Sequence, residues 1–320
     1  MVVLLREGVI VKEAEALSKM VSPGMKRDNA YRKGIIQIHV TQVCDRACVN
    51  CTQLSQIRQP KRFISLENYE KAVLSLVDYF GVVGFFGGNG ALHPKFPQLC
   101  EILAAHIPWE RRGIWCNNPL THGKLMRKIF NPAVSNLNVH MDKWAYKAFK
   151  QDWPESRPVG LESDSRHASG FVAMQDVIDD PEVIWEKIST CDINQFWSAM
   201  ICEFRGEARG YFCEIAGAQA MFHQTEPDYP DLGVPIEDGW WRKTMTDFAA
   251  QARFHCFACG FPLRAEGALA THPDSAEQVS KTHAEGYIPK QSNRKVDEVG
   301  TLVQLGVKLE NVTRYIQNSK

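Results

Sequence analysis

The fold of this chain is decided by the stretch Gly34-Ile-Ile-Gln-Ile-His-Val40 and by the sequence Cys44-Asp-Arg-Ala-Cys48-Val-Asn-Cys51 that follows it. The first part is rich in β-branched residues and predicts a buried strand. The second part spaces three cysteines three and then two residues apart. Three thiolates can hold three irons of a cubane cluster and leave the fourth iron open. The alternatives are chance burial and a zinc site, but zinc usually takes four protein ligands.

Downstream of the cysteines, segments of helical periodicity alternate with short apolar runs. We expect helices at residues 65–80, 96–106, 122–130, 143–150 and 181–189, and strands at 82–86, 113–116, 136–140 and 171–174. This alternation predicts an α/β fold with parallel strands, whose carboxyl ends carry the chemistry. Outside this region we expect a short helix at 11–20, a hairpin strand at 210–216 and a helix at 240–254.

Composition excludes several classes of protein. The 37 basic and 37 acidic side chains cancel, so there is no strong nucleic-acid signal. No secretory segment is visible and no run approaches the roughly 18 apolar residues that span a bilayer, so we expect a cytoplasmic protein without membrane contact. In a reducing compartment, clustered cysteines bind metal more often than they form disulfides.

A glycine turn strengthens the assignment of the cysteine motif. Gly87-Gly88-Asn89-Gly90 follows the second predicted strand, one βα unit after the cysteines. Over residues 35–190 this arrangement resembles the radical S-adenosylmethionine superfamily, whose Gly-Gly-Glu-Pro-like turn contacts the methionyl amino group. The resemblance implies a partial (β/α)6 TIM-like barrel and a 4Fe–4S cluster on Cys44, Cys48 and Cys51.

The same resemblance implies an oxidoreductase that reductively cleaves S-adenosylmethionine to a 5′-deoxyadenosyl radical, which abstracts a substrate hydrogen. An external one-electron donor such as flavodoxin or ferredoxin would be its partner. We expect Gly87, Gly88 and Asn89 to bind the cofactor. Asn117, His140 and Asp142, at the ends of the third and fourth strands, could touch its ribose or methionyl part, or could be ordinary polar loop residues.

The chain departs from the family pattern at two positions. Asn89 stands where the turn usually has an acidic residue, so a charged contact becomes neutral. Asn50 stands where the family often has an aromatic residue near the adenine. Both departures bear on cofactor binding.

A second group of cysteines lies in the C-terminal part of the chain. Cys256-Phe-Ala-Cys259, preceded by spaced cysteines, resembles the SPASM or Twitch domains that hold an auxiliary 4Fe–4S cluster. Five cysteines compete for four places, and the favoured ligands are Cys191, Cys213, Cys256 and Cys259. Exchange of Cys191 for Cys202 stays open, as does a structural zinc. We read Cys100 and Cys116 as core residues.

The predicted domains are an N-terminal extension at residues 1–34, the barrel at 35–188 and the auxiliary-cluster domain with C-terminal helices at 189–320. A polar stretch after the fourth βα unit supplies catalytic candidates. Arg166 could bind a carboxylate or phosphate, and Asp164 or His167 could move a proton. The alternative for all three is a solvated loop.

Three functions follow from these motifs. The first is a radical enzyme acting on a small-molecule or nucleotide-like substrate, with an auxiliary cluster that passes electrons or binds the substrate. The second is a radical enzyme that modifies a ribosomally made peptide, which the short extension before the first strand makes less favoured. The third is a zinc-binding scaffold without catalysis, which metal analysis would separate from the other two.

Overall fold

The computed structural model describes residues 7–26, 34–46, 48, 51–55, 57, 59–161, 170–266, 278–284 and 312–314. The strands are β1 Ile35–His39, β2 Val82–Phe86, β3 Arg112–Ile114, β4 Leu137–Asn138, β5 Pro158–Val159, β6 Ala199–Phe204, β7 Glu207–Tyr211, β8 Val234–Pro235, β9 Gln278–Ser280 and β10 Val312–Arg314. The α-helices are α1 Glu7–Lys19, α2 Leu66–Leu74, α3 Phe96–His106, α4 Gly123–Ile129, α5 Lys143–Asp152, α6 Met174–Val177, α7 Pro181–Ser189, α8 Asp192–Phe196, α9 Glu214–His223, α10 Ala249–Gln251 and α11 Lys281–Ala284. No described helix is both long enough and apolar enough to cross a membrane.

Six strands form the main sheet, in the order β3-β2-β1-β6-β7-β8. The first four are parallel, whereas β7 and β8 run antiparallel to their neighbours. The α/β fold with a mostly parallel sheet is therefore confirmed. Strands β4 and β5 form a separate parallel pair, which a bridge between Trp115 and Asn136 links to the β3 edge. The finer prediction, a partial (β/α)6 TIM-like barrel, stays a prediction; on the other side of the sheet the β6–β7 hairpin pairs with β1.

Strand β1 presents different chemistry on its two faces because successive side chains in a strand point to opposite sides. Ile36 and Ile38 belong to the hydrophobic core. Gln37 and His39 alternate with them and are also buried. A Cβ added at Gly84 of β2 would meet the Gln37 side chain at 2.9 Å. This second face of the sheet therefore carries polar groups into the interior, beside the candidate site.

Four predicted elements differ from the observed ones. Helix α2 ends at Leu74, although the chain continues through hydrogen-bonded turns that keep Leu76 and Tyr79 buried. Val77 and Phe80, which a helix to residue 80 would have placed on the buried face, are exposed. Residues 171–174 form a turn and the start of α6, residues 210–216 divide between β7 and α9, and residues 240–254 form short helical turns. In each case an apolar run is buried without forming the regular element that its pattern predicts.

The N-terminal segment packs against the C-terminal part of the chain. Helix α1 contacts α7, and Glu13 pairs with Arg253 at 2.8 Å. The amide of Val21 donates to Asn194 Oδ1 at 2.9 Å. These contacts bring Met20, and the residues that follow it, to the cysteines beyond residue 190.

Candidate functional site

The loop that carries Cys44 is fastened to the glycine turn after β2. The amide of Gly88 donates to the carbonyl of Thr41 at 2.7 Å, and the amide of Asn89 donates to that of Val43 at 2.8 Å. A Cβ added at Gly88 would come within 2.5 Å of the Val43 carbonyl oxygen, and one at Gly87 would meet that of Thr41. Glycine suits both positions because it lets two backbones approach closely. We expected this close approach towards a ligand, whereas the structure shows it between the two loops.

Asp45, between the first two cysteines, collects amide donors from three asparagines. Its Oδ1 accepts from Nδ2 of Asn89 and of Asn117, each at 3.1 Å. Its Oδ2 accepts from Asn118 Nδ2 at 3.3 Å. One carboxylate therefore joins the cysteine loop to the turns after β2 and β3. The sequence analysis missed Asp45, although its place inside the cysteine motif was a usable signal.

The buried Asn89 side chain has no hydrogen-bonding group to spare. Nδ2 also donates to the carbonyl of Asn118 at 3.1 Å, and Oδ1 accepts from the amide of Ala91 at 3.2 Å and from the Cys116 thiol at 3.3 Å. Asn89 thus clamps three loops, and a contact with a cofactor would replace one of these bonds. Asn117 differs, because its buried Oδ1 has no partner among the described residues.

Asp142 and Arg46 form an ion pair across the mouth of the loop. Asp142 also caps α5 by accepting from the amides of Trp144 and Ala145, at 2.8 and 3.1 Å. Partial burial raises the pKa of Asp142, but the Ala145 amide and the Arg46 guanidinium outweigh it and hold the pKa below its usual value. His140 lies two residues earlier with a positive φ of 47°, and its amide donates to Asn138 Oδ1.

Cys44, Cys48 and Cys51 are all half-buried beside these groups. The amide of Arg46 donates to Cys44 Sγ at 3.4 Å, and the carbonyl of Cys51 accepts from the amide of Leu54 at 3.0 Å. Cys44 therefore lies just beyond the carboxyl end of β1, in a loop that is bonded to the glycine turn. Asn50 lies outside the described residues, as do Asp164, Arg166 and His167.

The second group of cysteines lines one cavity. Four cysteines from three separate places in the chain line it: Cys191, Cys213 and the pair Cys256 and Cys259. Met20, Ile188, Phe212 and Phe261 complete a mostly apolar wall. An apolar shell limits solvent access and lowers the local dielectric constant, which tunes the potential of a metal group. The structure thus brings together the four favoured cysteines.

Backbone amides point at these thiols. Cys191 and Cys213 immediately precede α8 and α9, and the amide of Phe261 donates to Cys259 Sγ at 3.4 Å. Burial raises the pKa of all four thiols, to about 12 for Cys191. Deprotonation here therefore needs a cation, which a bound metal group supplies. In the part of the chain that the structure describes, no three His, Cys, Asp or Glu side chains converge on a single ion.

Cys202 lies elsewhere. It is fully buried in β6, and its thiol is 3.8 Å from the carbonyl of Gly217. It is not among the residues that line the cavity. Among the described residues, the arrangement favours the predicted set over the exchange of Cys191 for Cys202.

A buried polar chain links the loop after Cys51 to the second group. Glu214 Oε2 accepts from Ser198 Oγ at 2.5 Å, and Glu214 Oε1 accepts from Gln53 Nε2 at 3.5 Å. Ser198 Oγ also contacts Gln37 Oε1 at 2.9 Å. The sequence analysis did not single out Ser198. The polar residues of β1 were the available signal, since Gln37 and His39 interrupt an otherwise apolar strand.

No family model matches the chain. Among curated proteins, it is 29% identical over 126 residues to GTP 3',8-cyclase of Pseudomonas fluorescens (strain Pf0-1), which covers 38% of this chain and 36% of the cyclase. The chain thus matches about a third of that relative's length. Among solved structures, it is similar to the crystal structure of BtrN in complex with AdoMet and 2-DOIA, with a TM-score of 0.39 and 15% identity over 61% of this chain and 82% of that chain. The cyclase match supports a relationship between this chain and the radical S-adenosylmethionine superfamily.

Proposed function

We propose that this protein is a radical enzyme that reductively cleaves S-adenosylmethionine at a 4Fe–4S cluster held by Cys44, Cys48 and Cys51. The observation that carries the proposal is the fastening of the cysteine loop to the Gly87–Gly88 turn at the carboxyl ends of β1 and β2. Ligands of βα folds bind at this end of the strands. When bound, the cluster and S-adenosylmethionine supply a radical that removes a hydrogen atom from the substrate.

The chain's own residues have distinct tasks in this proposal. The three half-buried thiols hold the cluster, and Asp45 fixes their loop against the neighbouring turns. The unpartnered Oδ1 of Asn117 offers an acceptor to the cofactor's hydroxyl or amino groups. The Arg46–Asp142 ion pair closes the side of the loop that faces α5.

We further propose that Cys191, Cys213, Cys256 and Cys259 hold an auxiliary 4Fe–4S cluster. Four thiols around an apolar cavity, with amides directed at them, support a multi-iron group. Four thiolates also suit zinc, which makes metal identity the direct test. The Cys256 and Cys259 pair would then belong to a domain resembling the SPASM or Twitch type.

The proposed substrate is a small molecule of nucleotide-like character. The cyclase relative, named for a reaction on GTP, supports this class. Because the match covers only 38% of this chain and 36% of the cyclase, we propose the nucleotide-like class and not GTP itself. An external one-electron donor such as flavodoxin or ferredoxin would reduce the first cluster.

The first experiment measures 5′-deoxyadenosine formed by anaerobically reconstituted protein with dithionite and S-adenosylmethionine. The control is the triple variant Cys44→Ala/Cys48→Ala/Cys51→Ala. We expect product from the wild type and none from the control. An intact cluster that yields no product, with candidate substrates present as well as absent, would contradict the proposal.

The second experiment compares two cysteine variants by iron, sulfide and zinc content. Cys256→Ala should lose about one cluster per chain and keep cofactor cleavage, but lose coupled turnover of the substrate. Cys202→Ala should keep all its iron because that thiol is outside the cavity. Zinc without sulfide at the second site, or full turnover by Cys256→Ala, would refute a catalytic auxiliary cluster.

A further inference from the structure

Lys26 is a fully buried lysine, whereas the other lysines that the structure describes are exposed or half-buried. It follows the short helical turn Pro23–Met25, and its relative exposure is 0%. The ammonium makes one hydrogen bond within the described residues, to the carbonyl of Ser198 at 3.4 Å. Burying an ammonium group without a nearby anion costs roughly several kcal/mol of folding free energy. The site must therefore contain negative charge.

The surroundings of Lys26 identify that charge. The carbonyl of Ser198 that accepts from Lys26 also accepts from the amide of Glu214, directly after Cys213. Lys26 interacts electrostatically with Cys213 and Cys191 first, and then with Glu214 and Cys256. Three of the four thiols that line the cavity thus lie within its field.

Glu214 does not form a close ion pair with this lysine. Its oxygens are hydrogen-bonded to Ser198 Oγ and Gln53 Nε2. No carboxylate of a described residue lies within ion-pair distance of Lys26 Nζ. Burial holds the pKa of Lys26 below its usual value, and Cys213 and Cys191 offset only part of that effect. Once a metal group holds the cavity cysteines as thiolates, they become the main anions near Lys26 among the described groups.

We propose that Lys26 is the counter-charge of the four-cysteine site and raises the reduction potential of the cluster held there, an inference that rests on the proposed auxiliary cluster. A cubane with four thiolates carries net negative charge, and reduction adds one more electron. A cation in the same low-dielectric pocket stabilises the more negative, reduced state. Lys26 thus acts on the cluster through its positive charge and does not ligate iron.

The test uses the Cys44→Ala/Cys48→Ala/Cys51→Ala protein, in which only the second site can bind a cluster. Iron, sulfide and zinc are measured first, and the midpoint potential is then measured by mediated titration with electron paramagnetic resonance. Lys26→Met should make one-electron reduction about tenfold less favourable, which corresponds to a potential about 59 mV lower. Lys26→Arg should restore most of that difference, and Lys12→Met, at an exposed lysine of α1, should leave the potential unchanged.

The outcomes separate the two proposals. If the triple variant binds neither iron nor sulfide, the proposed auxiliary cluster is refuted, and the proposed role of Lys26 is refuted with it. A loaded cluster whose potential is the same in wild-type, Lys26→Met and Lys12→Met backgrounds would overturn the role of Lys26 alone. Should Lys26→Met not fold, Lys26→Gln removes the same charge, keeps a polar end and carries the same expectation.

Discussion

At the scale of single residues, the candidate site is organised by groups that the cysteine motif itself contains. Asp45 accepts amides from Asn89, Asn117 and Asn118, and it thereby joins three loops through one carboxylate. Because Asn89 stands where the family has an acidic residue, the glycine turn itself carries no carboxylate. The fold thus places a carboxylate 3.1 Å from the Asn89 amide, on the cysteine loop.

Replacing Asp45 tests this arrangement. In Asp45→Asn, the NH2 group replaces either Oδ1, which accepts from Asn89 and Asn117, or Oδ2, which accepts from Asn118, so the variant loses the negative charge and at least one of the three bonds. A hydrogen bond to a charged group is worth about 1.5–3 kcal/mol, so we expect S-adenosylmethionine affinity to fall roughly tenfold. Equilibrium dialysis of the reconstituted protein measures it. The matched control is Asp228→Asn, at an exposed aspartate outside the candidate site, and equal affinities for both variants would contradict the expectation.

At the scale of elements, the segment β9–α11 is held against the turn before α6. The amide of Ser280 donates to the Phe171 carbonyl at 2.9 Å, and Asp176 accepts from Ser280 Oγ and from the amide of Thr282, each at 2.6 Å. His283 Nε2 then contacts the carbonyl of Ala258 at 2.7 Å, between the last two cysteines. The segment therefore braces the wall of the four-cysteine cavity.

We expect Asp176→Ala to release this brace. The variant loses acceptors for Ser280 and Thr282, and bonds to a charged acceptor contribute about 1.5–3 kcal/mol each when well shielded. Hydrogen exchange at the amides of Ser280 and Thr282 should accelerate at least tenfold, and the second site should lose iron faster to a chelator. Asp238→Ala, at an exposed aspartate, serves as the control. Unchanged exchange in Asp176→Ala would show that the apolar contacts of the segment suffice.

At the scale of the whole molecule, one hydrophobic core runs from α1 through the sheet to the cysteine-rich part. Strand β6 pairs with β1, so residues on both sides of position 188 share one sheet. Cooperative unfolding of the described part is the expected consequence, because neither half buries its core without the other. The domain boundaries at residues 34 and 188 stay a prediction that partial proteolysis can test.

Acid should destabilise this core through its buried histidines. Burial lowers the pKa of His39 from 6.5 to about 3 and that of His283 to about 4. The unfolded chain binds these protons first, so stability is lost as pH falls below about 6.5 and continues to be lost down to pH 3–4. Denaturant unfolding between pH 7 and 4 measures the slope. His39→Gln should reduce it by up to one proton, about 1.4 kcal/mol per pH unit, and an unchanged slope would contradict the assignment.

The amino-acid sequence by itself determined the local features of this protein. The run from Gly34 to Val40 predicted β1, and the spacing of Cys44, Cys48 and Cys51 predicted a loop for metal directly after it. The glycines at 87 and 88 predicted a close backbone approach. These features were predictable because strand periodicity, ligand spacing and the lack of a Cβ act within a few residues.

Only the tertiary structure decided which distant residues meet. Four of the five C-terminal cysteines line one cavity, and Cys202 lies in β6; the sequence favoured this set but left the exchange of Cys191 for Cys202 open. Lys26, in a segment that the sequence presented as an extension, is buried beside them. The hairpin of β6 and β7 joins β1 instead of forming its own sheet. Such contacts form between segments that are far apart in the sequence but share one core and one set of hydrogen bonds. Packing of the whole chain decides which segments meet, and no local stretch of sequence carries that information.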